Sequence, residues 1–438
     1  MAEKSIGVCL LGCGIVGGGV ERILRQQREL LRKRTGMDFQ LQHVVVKDRN
    51  DFPQNHADLP MSTDAAAAID DPKSNIIVEL IGGTGIAGTF IERALKLGKP
   101  VVTANKSLLA AKGPELFALA RQHNSCIAFE ASCGGGIPII EALHHGLIAN
   151  EIHAILGIVN GTCNFILSQM TQKGQSYQEA LADAQKAGFA EANPTLDVSG
   201  RDPAQKLAIL GGLAFNVRIA ESDIHVEGID KLQAPDIGFA RELGYIIKLL
   251  AIAERTDGQI SLRVHPTLVR ADDMLAKVSG SFNAISVYGH ALGHAMFYGR
   301  GAGRTPTASA IVGDLVTVAL GTAGETFKRL KIYPDECPPV NVLPFDQLKS
   351  RYYMRLAAKD EPGVLAQVTA ALGKHGISLS SVLQHEGDGG QFVPIVITTH
   401  LAREGAVREA LKEIDALKTI QPATICLRII DQPKEFGA

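Results

Sequence analysis

Apolar and polar residues alternate in blocks over the first 130 residues of the chain. Short apolar runs bounded by glycine and polar residues predict strands, and these lie at 5–11, 40–46, 76–81, 100–103 and 126–130. Between them apolar residues recur every three or four positions, a spacing typical of helices, and these segments are 15–31, 86–97 and 107–122. Strands that alternate with helices in this way form a doubly wound parallel sheet.

The pattern changes after residue 130. Residues 131–330 mix helix and strand signals, which predicts an α+β domain, and a proline-rich linker follows over 331–350. Residues 351–438 show the order strand–helix–strand–strand–helix–strand, the ferredoxin-like βαββαβ arrangement. The predicted elements there are 351–358, 363–375, 377–386, 391–399, 402–416 and 424–430. The sequence therefore predicts an α/β protein in which the first domain spans 1–130 and two others follow.

Composition narrows the classes of function. A chain of 438 residues is long enough for roughly two or three domains, and its 46% hydrophobic content and 45 glycines are typical of a compact α/β enzyme. The formal net charge is −2 and no long basic run occurs, so neither nucleic acid nor an anionic membrane is expected as a partner. The apolar runs are too short to span a bilayer, and the N-terminus does not have the pattern of a signal peptide.

The cysteines and histidines do not suggest a metal site or a thiol nucleophile. Seven cysteines are scattered without a CxxC pair, which is typical of reduced thiols in a cytoplasm. Cys133 and Cys163 have no base near them in the sequence, so we expect small core or turn residues. His290 and His294 have HxxxH spacing, but no glutamate lies between them and no obvious carboxylate ligand follows, so no zinc site is expected.

A glycine pattern directly follows the first predicted strand. Gly12-x-Gly14-x-x-Gly17 comes after strand 5–11 and opens a helix, the context of a Rossmann-like dinucleotide-binding turn. There the first glycine permits a tight bend, the second lets the backbone approach a pyrophosphate, and the third lets helix and strand pack closely. The helix N-terminus adds amide donors and a partial positive charge. We predict NAD or NADP binding; the alternative is a purely structural glycine-rich turn.

The end of the second strand bears on the choice between the two nucleotides. An acidic residue there binds the ribose hydroxyls of NAD, whereas basic residues accept the 2′-phosphate of NADP. The sequence offers both in Lys47, Asp48 and Arg49. The choice stays open, with a slight preference for NADP.

A lysine lies near the start of a very apolar helix in EANPTLDVSGRDPAQKLAIL, residues 191–210. Asp202 is predicted to cap this helix. Three carboxylates precede Lys206, namely Glu191, Asp197 and Asp202. Taken alone, Lys206 is a lysine that extends to solvent near a helix end. In a nucleotide-dependent enzyme acting on an alcohol, however, a lysine in a water-poor pocket has a lowered pKa and exchanges the alcohol proton, while carboxylates hold a substrate ammonium.

Two more segments of interest follow predicted strands. VVTANKSLLA, residues 101–110, places Lys106 at the carboxyl edge of the sheet, where ligands bind in open α/β sheets; the alternative is a surface lysine. EASCGGGIP, residues 130–138, ends a strand in a glycine-rich turn whose backbone carbonyls either bind a hard cation or bond to water. The residues alone favour water at this turn.

Seven segments, in order, resemble the homoserine dehydrogenase family. They are GCGIVG at 12–17, ELIGG at 79–83, TANK at 103–106, EASCGGGIPII at 130–140, GIVNGTCNFIL at 157–167, AGFAEANPTLDVSGRDPAQKL at 187–207 and YGRGAGRTPTASAIVGDL at 298–315. The resemblance covers essentially residues 1–340. KDEPGVLAQVTAALGKHGISLSSV at 359–382 resembles an ACT domain. Because no aspartokinase-like segment precedes Met1, we expect the monofunctional bacterial form.

The resemblance implies oxidation of L-homoserine to L-aspartate 4-semialdehyde with NAD(P)⁺, run in reverse in threonine and methionine biosynthesis. It implies that Lys206 donates or accepts the proton and that Lys106 is a second catalytic lysine. The implied substrate ligands are Glu191, Asp197 and Asp202. The implied cofactor-binding residues are Gly12, Cys13, Gly14, Ile15, Val16, Gly17, Lys106, Gly188 and Gly303. Residues 301–325 are therefore expected to return towards the nucleotide domain.

The resemblance also changes the interpretation of the glycine-rich turn after residue 130. It implies a structural sodium ion there, held by main-chain oxygens of Glu130, Cys133, Gly135 and Ile137, in place of water. The 131–330 domain is implied to bind substrate, to carry catalysis and to form a dimer.

For residues 351–438 the resemblance implies an ACT regulatory domain, a module that binds small amino acids between paired copies. The expected effector is L-threonine at DEPGVL, residues 360–365, where Gly363 lets a ligand approach backbone amides. A dimerisation module without a ligand is the alternative. Pairing of this module extends the expected homodimer to a homotetramer.

Two other functions compete with this one. A different amino-acid dehydrogenase is disfavoured by the joint presence of TANK and DPAQKL. A catalytically silent amino-acid sensor that retains nucleotide binding is disfavoured by four intact residues, Lys106, Glu191, Asp202 and Lys206.

Overall fold

A computed structural model describes residues 4–48, 59–385 and 392–433. Arg49 lies outside these ranges, as do the last residue of the predicted strand 377–386 and the first residue of the predicted strand 391–399.

The N-terminal part is built around one parallel sheet. Its strands are β1 (Lys4–Leu11), β2 (Met37–Val45), β3 (Met61–Ser62), β4 (Ile76–Glu79), β5 (Val101–Thr103) and β6 (Ile127–Ala128). Its helices are α1 (Ile15–Gln26), α2 (Arg28–Thr35), α3 (Ala65–Asp70), α4 (Ile86–Lys96) and α5 (Lys106–Gln122). The strands pair in parallel in the order β3-β2-β1-β4-β5-β6. This order confirms the predicted doubly wound sheet.

Three details of this part differ from the prediction. The helix predicted over 15–31 is two helices, because the backbone leaves helical geometry at Gln27 and Arg28 then pairs with Asp38 on β2 at 2.6 Å. The short elements β3 and α3 carry too few residues to show a period and were not predicted. β6 is shorter than the predicted strand 126–130, because Glu130 already begins a 3₁₀ turn.

The middle part combines helices with a largely antiparallel sheet. Its helices are α6 (Ile139–Glu141), α7 (Gly161–Lys173), α8 (Tyr177–Lys186), α9 (Thr195–Val198), α10 (Arg201–Phe215), α11 (Ala234–Glu242), α12 (Met274–Lys277), α13 (Arg304–Leu320) and α14 (Thr322–Arg329). Its strands are β7 (Ile152–Ile158), β8 (His225–Val226), β9 (Tyr245–Thr256), β10 (Gln259–Arg270), β11 (Phe282–Gly289) and β12 (Gly293–Arg300).

The C-terminal part has the predicted βαββαβ order. It contains β13 (Lys349–Lys359), α15 (Val364–Lys374), β14 (Leu379–Gln384), β15 (Phe392–Thr399), the short β16 (Ala402–Arg403), α16 (Glu404–Asp415) and β17 (Ile420–Ile429). Tyr352, Met354 and Leu356 on β13 pack against the buried faces of both helices. This core is separate from the nucleotide-binding sheet.

The middle and C-terminal sheets join into one. β10 pairs in parallel with β17, Thr267 opposite Arg428 and Leu268 opposite Ile429, and the combined order is β12-β11-β7-β9-β10-β17-β13-β15-β14. A buried ion pair strengthens the joint, since Arg355 Nε on β13 lies 2.6 Å from Oδ1 of Asp236 on α11. This pairing was not predicted, because it joins two sheet edges that are far apart in the chain.

Helix α13 packs back onto the first sheet. Ala308, Ile311 and Leu315 are buried against the apolar face formed by β1 and its neighbours. Gly19 on α1 permits the close approach, because a Cβ there would lie 2.8 Å from the carbonyl oxygen of Arg304. The start of α13 is thereby placed beside the start of α1.

Within the described ranges, no single helix is both long enough and apolar enough to cross a membrane; only the pair α13 and α14, bent by 80°, has that length and composition when taken together.

Candidate active site

Two helices from different parts of the chain bring two lysines to one carboxylate. α5 begins at Lys106 directly after the sheet edge, and α10 carries Lys206 in its second turn. The helices are tied by a hydrogen bond of 2.8 Å from Ser107 Oγ to Gln205 Oε1. Asp202 Oδ1 lies 3.2 Å from Lys106 Nζ, and Asp202 Oδ2 lies 2.8 Å from Lys206 Nζ. The Asp202 carboxylate therefore bridges both lysines.

Lys206 does not extend to bulk solvent. Its side chain is 11% exposed. Besides Asp202, its Nζ donates to the carbonyl oxygen of Val159 at 2.6 Å. Two fixed acceptors hold the ammonium group and leave its third proton free for another acceptor.

Asn160 joins the carboxylates of this site, and sequence reasoning missed it. Its Nδ2 donates to Asp197 Oδ1 at 2.8 Å and to Asp202 Oδ2 at 2.7 Å. Its Oδ1 accepts from Cys163 N at 2.8 Å, which makes Asn160 the N-cap of α7. An asparagine before Gly-Thr at a helix start is a recognisable cap signal, but its contact with the carboxylates depends on the tertiary fold.

The prediction that Asp202 caps α10 was wrong. The helix begins at Arg201 after Gly200, whose φ is +84°, and Asp202 is its second residue. The Asp202 carboxylate faces Lys106, Lys206 and the Asn160 amide, which are stronger partners for a buried charge than one backbone amide.

The two aspartates have opposite pKa shifts. Burial alone would raise the pKa of Asp202, but the charges of Lys206 and Lys106 and the hydrogen bonds from Lys206 and Asn160 lower it to about 2. Burial raises the pKa of Asp197, with a further contribution from the Asp202 charge against the hydrogen bond from Asn160. Asp202 is therefore the fixed counter-charge, and Asp197 is more readily protonated.

Glu191 is not part of this cluster. It lies on the exposed turn between α8 and α9, and its carboxylate has no hydrogen bond or ion pair to any residue in the described ranges. The structure thus brings together four of the five predicted catalytic and substrate residues, Lys106, Lys206, Asp197 and Asp202.

The glycine-rich turn between β1 and α1 forms an open cradle. Gly12 has φ of +97°, and a Cβ on it would lie 2.9 Å from the carbonyl oxygen of Leu80. A Cβ on Gly17 would lie 2.2 Å from the carbonyl oxygen of Gly12, whereas nothing lies within 4 Å of one on Gly14. Gly14 is the N-cap of α1 and makes no side-chain cap hydrogen bond to the first amides of the helix. A pyrophosphate fits this geometry.

Residues beside this cradle extend the predicted nucleotide site. Cys13, Gly14 and Ile15 line one cleft together with Arg304, and Val16 follows in the first turn of α1. Gly303, with φ of +120°, directly precedes Arg304. Arg304 was not predicted, and its position depends on the return of α13 to α1.

Three further residues considered for nucleotide binding lie on exposed parts of the chain. Gly188 has φ of +75° in the exposed turn after α8. Lys47 and Asp48 follow β2 and are exposed.

The turn after β6 presents buried main-chain oxygens. Glu130, Cys133, Gly135 and Ile137 are all buried. The carbonyl oxygen of Ile137 accepts from Ile139 N at 2.8 Å and retains a second lone pair. Burial raises the pKa of the Glu130 carboxyl to about 7, although backbone amides of Ile140 and Glu141 donate to it. Carbonyl oxygens are the ligand type that a hard cation prefers, so the ligand type of this turn is compatible with the expected cation.

His290 and His294 each contact a neighbouring residue, and Cys133 and Cys163 are fully buried, which fits the expected core or turn positions of the two cysteines. His294 stacks on Tyr288 with ring centroids 4.4 Å apart, and His290 Nδ1 accepts from Glu151 N at 2.9 Å. Burial raises the pKa of the Cys133 thiol to about 12 and that of Cys163 well above its usual value. In the part of the chain that the structure describes, no group of three or more His, Cys, Asp or Glu side chains is placed to hold a metal.

The fold and the site together define a class of protein. A dinucleotide cradle on a doubly wound sheet adjoins a lysine–carboxylate cluster in a second part of the chain, which is the arrangement of an NAD(P)-dependent oxidoreductase. Comparison with known proteins names the family. Residues 12–130 match the family model for the homoserine dehydrogenase NAD-binding domain, residues 138–316 match that for homoserine dehydrogenase, and residues 352–418 match that for the ACT domain.

Full-length relatives agree with these matches. A homoserine dehydrogenase of Pseudomonas aeruginosa is 40% identical over 433 residues, covering 98% of this chain and 99% of that protein. One of Synechocystis is 41% identical over 441 residues, covering 97% and 100%. The chain therefore belongs to the homoserine dehydrogenase family and is an NAD(P)-dependent oxidoreductase with a C-terminal ACT domain.

Solved structures show the same architecture. A homoserine dehydrogenase from Thiobacillus denitrificans has a TM-score of 0.92 at 41% identity, covering 98% of this chain and 99% of that one. One from S. aureus has a TM-score of 0.77 at 31% identity, covering 98% and 99%. A hyperthermophilic archaeal homoserine dehydrogenase in complex with NADPH has a TM-score of 0.61 at 25% identity, covering 72% of this chain and 98% of that one.

Proposed function

We propose that this chain interconverts L-homoserine and L-aspartate 4-semialdehyde with NAD(P), and forms L-homoserine for threonine and methionine biosynthesis. The observation that carries the proposal is the Asp202 carboxylate held between Lys106 and Lys206. Such a cluster positions a protonated amine and a second cation at an oxygen that gains negative charge.

In the synthetic direction Lys206 acts as the general acid. A reduced nucleotide held at the turn of residues 12–17 would supply a hydride to the aldehyde carbon. Lys206 Nζ has one proton that is not engaged by Asp202 or Val159, and it gives this proton to the aldehyde oxygen, directly or through one water. The C=O bond becomes C–OH, and Lys206 is left neutral until solvent returns the proton. In the reverse direction the neutral amine takes the alcohol proton.

The three carboxylates position the lysines and bind the substrate. Asp202 fixes both lysines and contacts the substrate from the same position. Asp197 Oδ1 is held by Asn160, and its second oxygen accepts from the substrate ammonium. Glu191, on the exposed turn, closes onto the ammonium from the solvent side. Lys106 adds positive charge beside the reacting oxygen and borders the nucleotide site.

The nucleotide is held by the turn of residues 12–17, with Gly188, Gly303 and Lys106 at its border. We favour NADP because Lys47 and Arg49 supply two cations against the single charge of Asp48. A measured kcat/KM ratio for the two nucleotides decides this preference.

A sodium ion at the turn of residues 130–137 is a further part of the proposal. Main-chain oxygens of Glu130, Cys133, Gly135 and Ile137 would hold it, and it would fix the turn that leads into α6. Replacing sodium by choline is expected to lower the thermal midpoint of unfolding; an unchanged midpoint contradicts a structural sodium site.

Regulation by L-threonine is proposed for the ACT domain. Gly363, with φ of +88°, precedes α15 without a side-chain cap, which leaves amides open to an amino-acid carboxylate. The domain also contacts the active-site segment, because Arg428 on β17 pairs with Glu227, and Ile229 N, two residues on, donates to the carbonyl oxygen of Val198 at 2.9 Å. Val198 follows Asp197 directly.

The proposed domain bounds, oligomeric state and cellular location are those that the resemblance to the homoserine dehydrogenase family implies. We propose a nucleotide domain over 1–130, a substrate-binding, catalytic and dimerisation domain over 131–330, a linker over 331–350 and a regulatory domain over 351–438. A homodimer or homotetramer in the cytoplasm is proposed, and light scattering of the purified chain distinguishes the two assemblies.

Reduction of each nucleotide with L-homoserine, with and without L-threonine, tests the proposal. Turnover that L-threonine suppresses is expected. Turnover that L-threonine does not change would exclude the proposed regulation by L-threonine and leave the proposed catalytic activity in place. Folded protein that binds nucleotide but shows no turnover of L-homoserine with either nucleotide would favour the catalytically silent sensor.

A further inference from the structure

Glu79 is a fully buried carboxylate that the proposed mechanism does not use. It is the last residue of β4, and it lies opposite Thr103, the last residue of β5. Both side chains are 0% exposed. The three groups that donate hydrogen bonds to Glu79 are uncharged. A buried charge costs free energy unless it is well bonded. Because Glu79 nevertheless lies at the edge of the sheet where ligands bind, we expect its carboxylate to have a functional role.

One oxygen of Glu79 holds the loop that follows β4. Its Oε1 accepts from Ile81 N and from Gly82 N, each at 2.8 Å. Gly82 has φ of +80°, and a Cβ on it would meet nothing within 4 Å. The loop thus has a fixed inner side and an open outer side. It packs against the nucleotide cradle, since the carbonyl oxygen of Leu80 lies 2.9 Å from a Cβ built on Gly12.

The other oxygen of Glu79 controls the start of α5. Its Oε2 accepts from the Thr103 hydroxyl at 2.7 Å, and Thr103 Oγ1 accepts from Asn105 N at 3.0 Å. Asn105 then donates from Nδ2 to the carbonyl oxygen of Gly83 at 2.8 Å and accepts at Oδ1 from Leu108 N at 3.1 Å, which caps α5. The cap fixes the residue that follows it, Lys106.

We propose that Glu79 is a positioning residue: through Thr103 and Asn105 it sets Lys106 and the loop 81–83 in one arrangement, so that lysine and bound nucleotide meet the substrate together. This inference rests on the proposed function for its effect on turnover. According to this inference, loss of Glu79 lowers turnover because Lys106 is displaced, and not because the folded protein is less stable. A displacement of about 1 Å at such a site costs about 10²-fold in rate.

Isosteric variants test the network. Glu79→Gln keeps the shape and removes the charge. Thr103→Val removes the hydroxyl that links Glu79 to Asn105, and Thr103→Ser restores it. Thr398→Val, which loses a buried hydroxyl in the ACT domain, is the control for burial alone. For each, kcat and KM for L-homoserine, the Kd for reduced nucleotide and the thermal midpoint are measured on the full chain.

Glu79→Gln and Thr103→Val are expected to lower kcat by about 10-fold or more, with KM changed by less than about threefold, while Thr103→Ser and Thr398→Val stay near the wild-type kcat. In a Lys106→Ala background, Glu79→Gln is expected to lower kcat by less than about twofold, because the lysine it positions is gone. A full multiplicative loss in that background would overturn the inference.

Amide hydrogen exchange of the protein without substrate gives an independent result. The amides of Gly82, Asn105 and Leu108 are expected to exchange faster in Glu79→Gln and Thr103→Val than in the wild type and in Thr398→Val. Unchanged exchange would overturn the network whatever the substrate. If wild-type protein shows no turnover with L-homoserine, the proposed function fails, and exchange alone then decides whether Glu79 holds the turn.

Discussion

The ammonium nitrogen of Lys206 lies 2.8 Å from Oδ2 of Asp202, one turn earlier on the same helix. The other oxygen of that carboxylate faces Lys106 from a different helix at 3.2 Å. One buried anion therefore orients two cations, and removal of its charge affects both stability and catalysis.

Asp202→Asn is expected to destabilise the fold near neutral pH. The folded-state pKa of Asp202 is about 2 against an ordinary 3.8, so its ionised form stabilises the fold above pH 3.8, and this stabilisation is lost as the pH falls through about 2. The shift corresponds to about 2 kcal/mol. Chemical denaturation of wild type and variant should show a gap of about that size that narrows in acid. A difference in unfolding free energy that increases as the pH is lowered would contradict the stabilising role of the ionised Asp202. Asp272→Asn, at an exposed pair, is the matched control and should change little.

Protonation of Asp197 is expected to determine how the KM for L-homoserine changes at acidic pH. Burial raises its pKa above the ordinary 3.8, so Asp197 takes up a proton at a higher pH than an exposed aspartate and then no longer attracts the substrate ammonium. As the pH is lowered, the KM for L-homoserine should therefore begin to rise at a higher pH than an exposed aspartate would give. Asp197→Asn should have a high KM at every pH, without this rise. A variant with the wild-type KM profile would remove Asp197 from the substrate site.

Gly17→Ala is expected to disrupt the nucleotide turn. A Cβ there would lie 2.2 Å from the carbonyl oxygen of Gly12, a backbone atom, so the overlap is relieved only if the backbone shifts. Nucleotide Kd, measured by fluorescence titration, should weaken together with the thermal midpoint. Gly238→Ala is the matched control, because Gly238 lies in α11 with nothing within 4 Å of a Cβ; it should gain about 0.5–1 kcal/mol in stability. Normal nucleotide affinity in Gly17→Ala would contradict the assignment of the turn.

Glu227→Gln is expected to weaken inhibition by L-threonine with kcat nearly unchanged. The substitution removes one charge of the pair that joins Arg428 to the segment beside Asp197, while Glu404 still holds Arg428 at 2.5 Å. The inhibition constant should rise about fivefold or more. Glu413→Gln, at a surface pair with Lys374 within the ACT domain, should leave inhibition unchanged. Equal inhibition of wild type and Glu227→Gln would exclude this contact as the route.

The sequence predicted what depends on local pattern. The strand–glycine–helix order around Gly12 and Gly17 needs only hydrophobic period and turn chemistry, and the match of TANK and DPAQKL to a known family marked both lysines. It did not predict Asn160 at the carboxylates, Arg304 at the cradle or the pairing of β10 with β17, because each depends on segments far apart in the chain. The supposed cap by Asp202 failed for the same reason: Lys106, a distant residue, competes for its carboxylate.

The turnover of L-homoserine by wild type and by Lys206→Ala, followed by the absorbance of reduced nucleotide, tests the central claim most directly. The account predicts turnover by the wild type and a kcat lower by about 10²–10⁴-fold in the variant, with unchanged circular dichroism and nucleotide Kd; Lys374→Ala, on the surface of the ACT domain, should keep the wild-type kcat. A Lys206→Ala protein that turns over L-homoserine at nearly the wild-type rate would contradict the assignment of Lys206 as the acid and base.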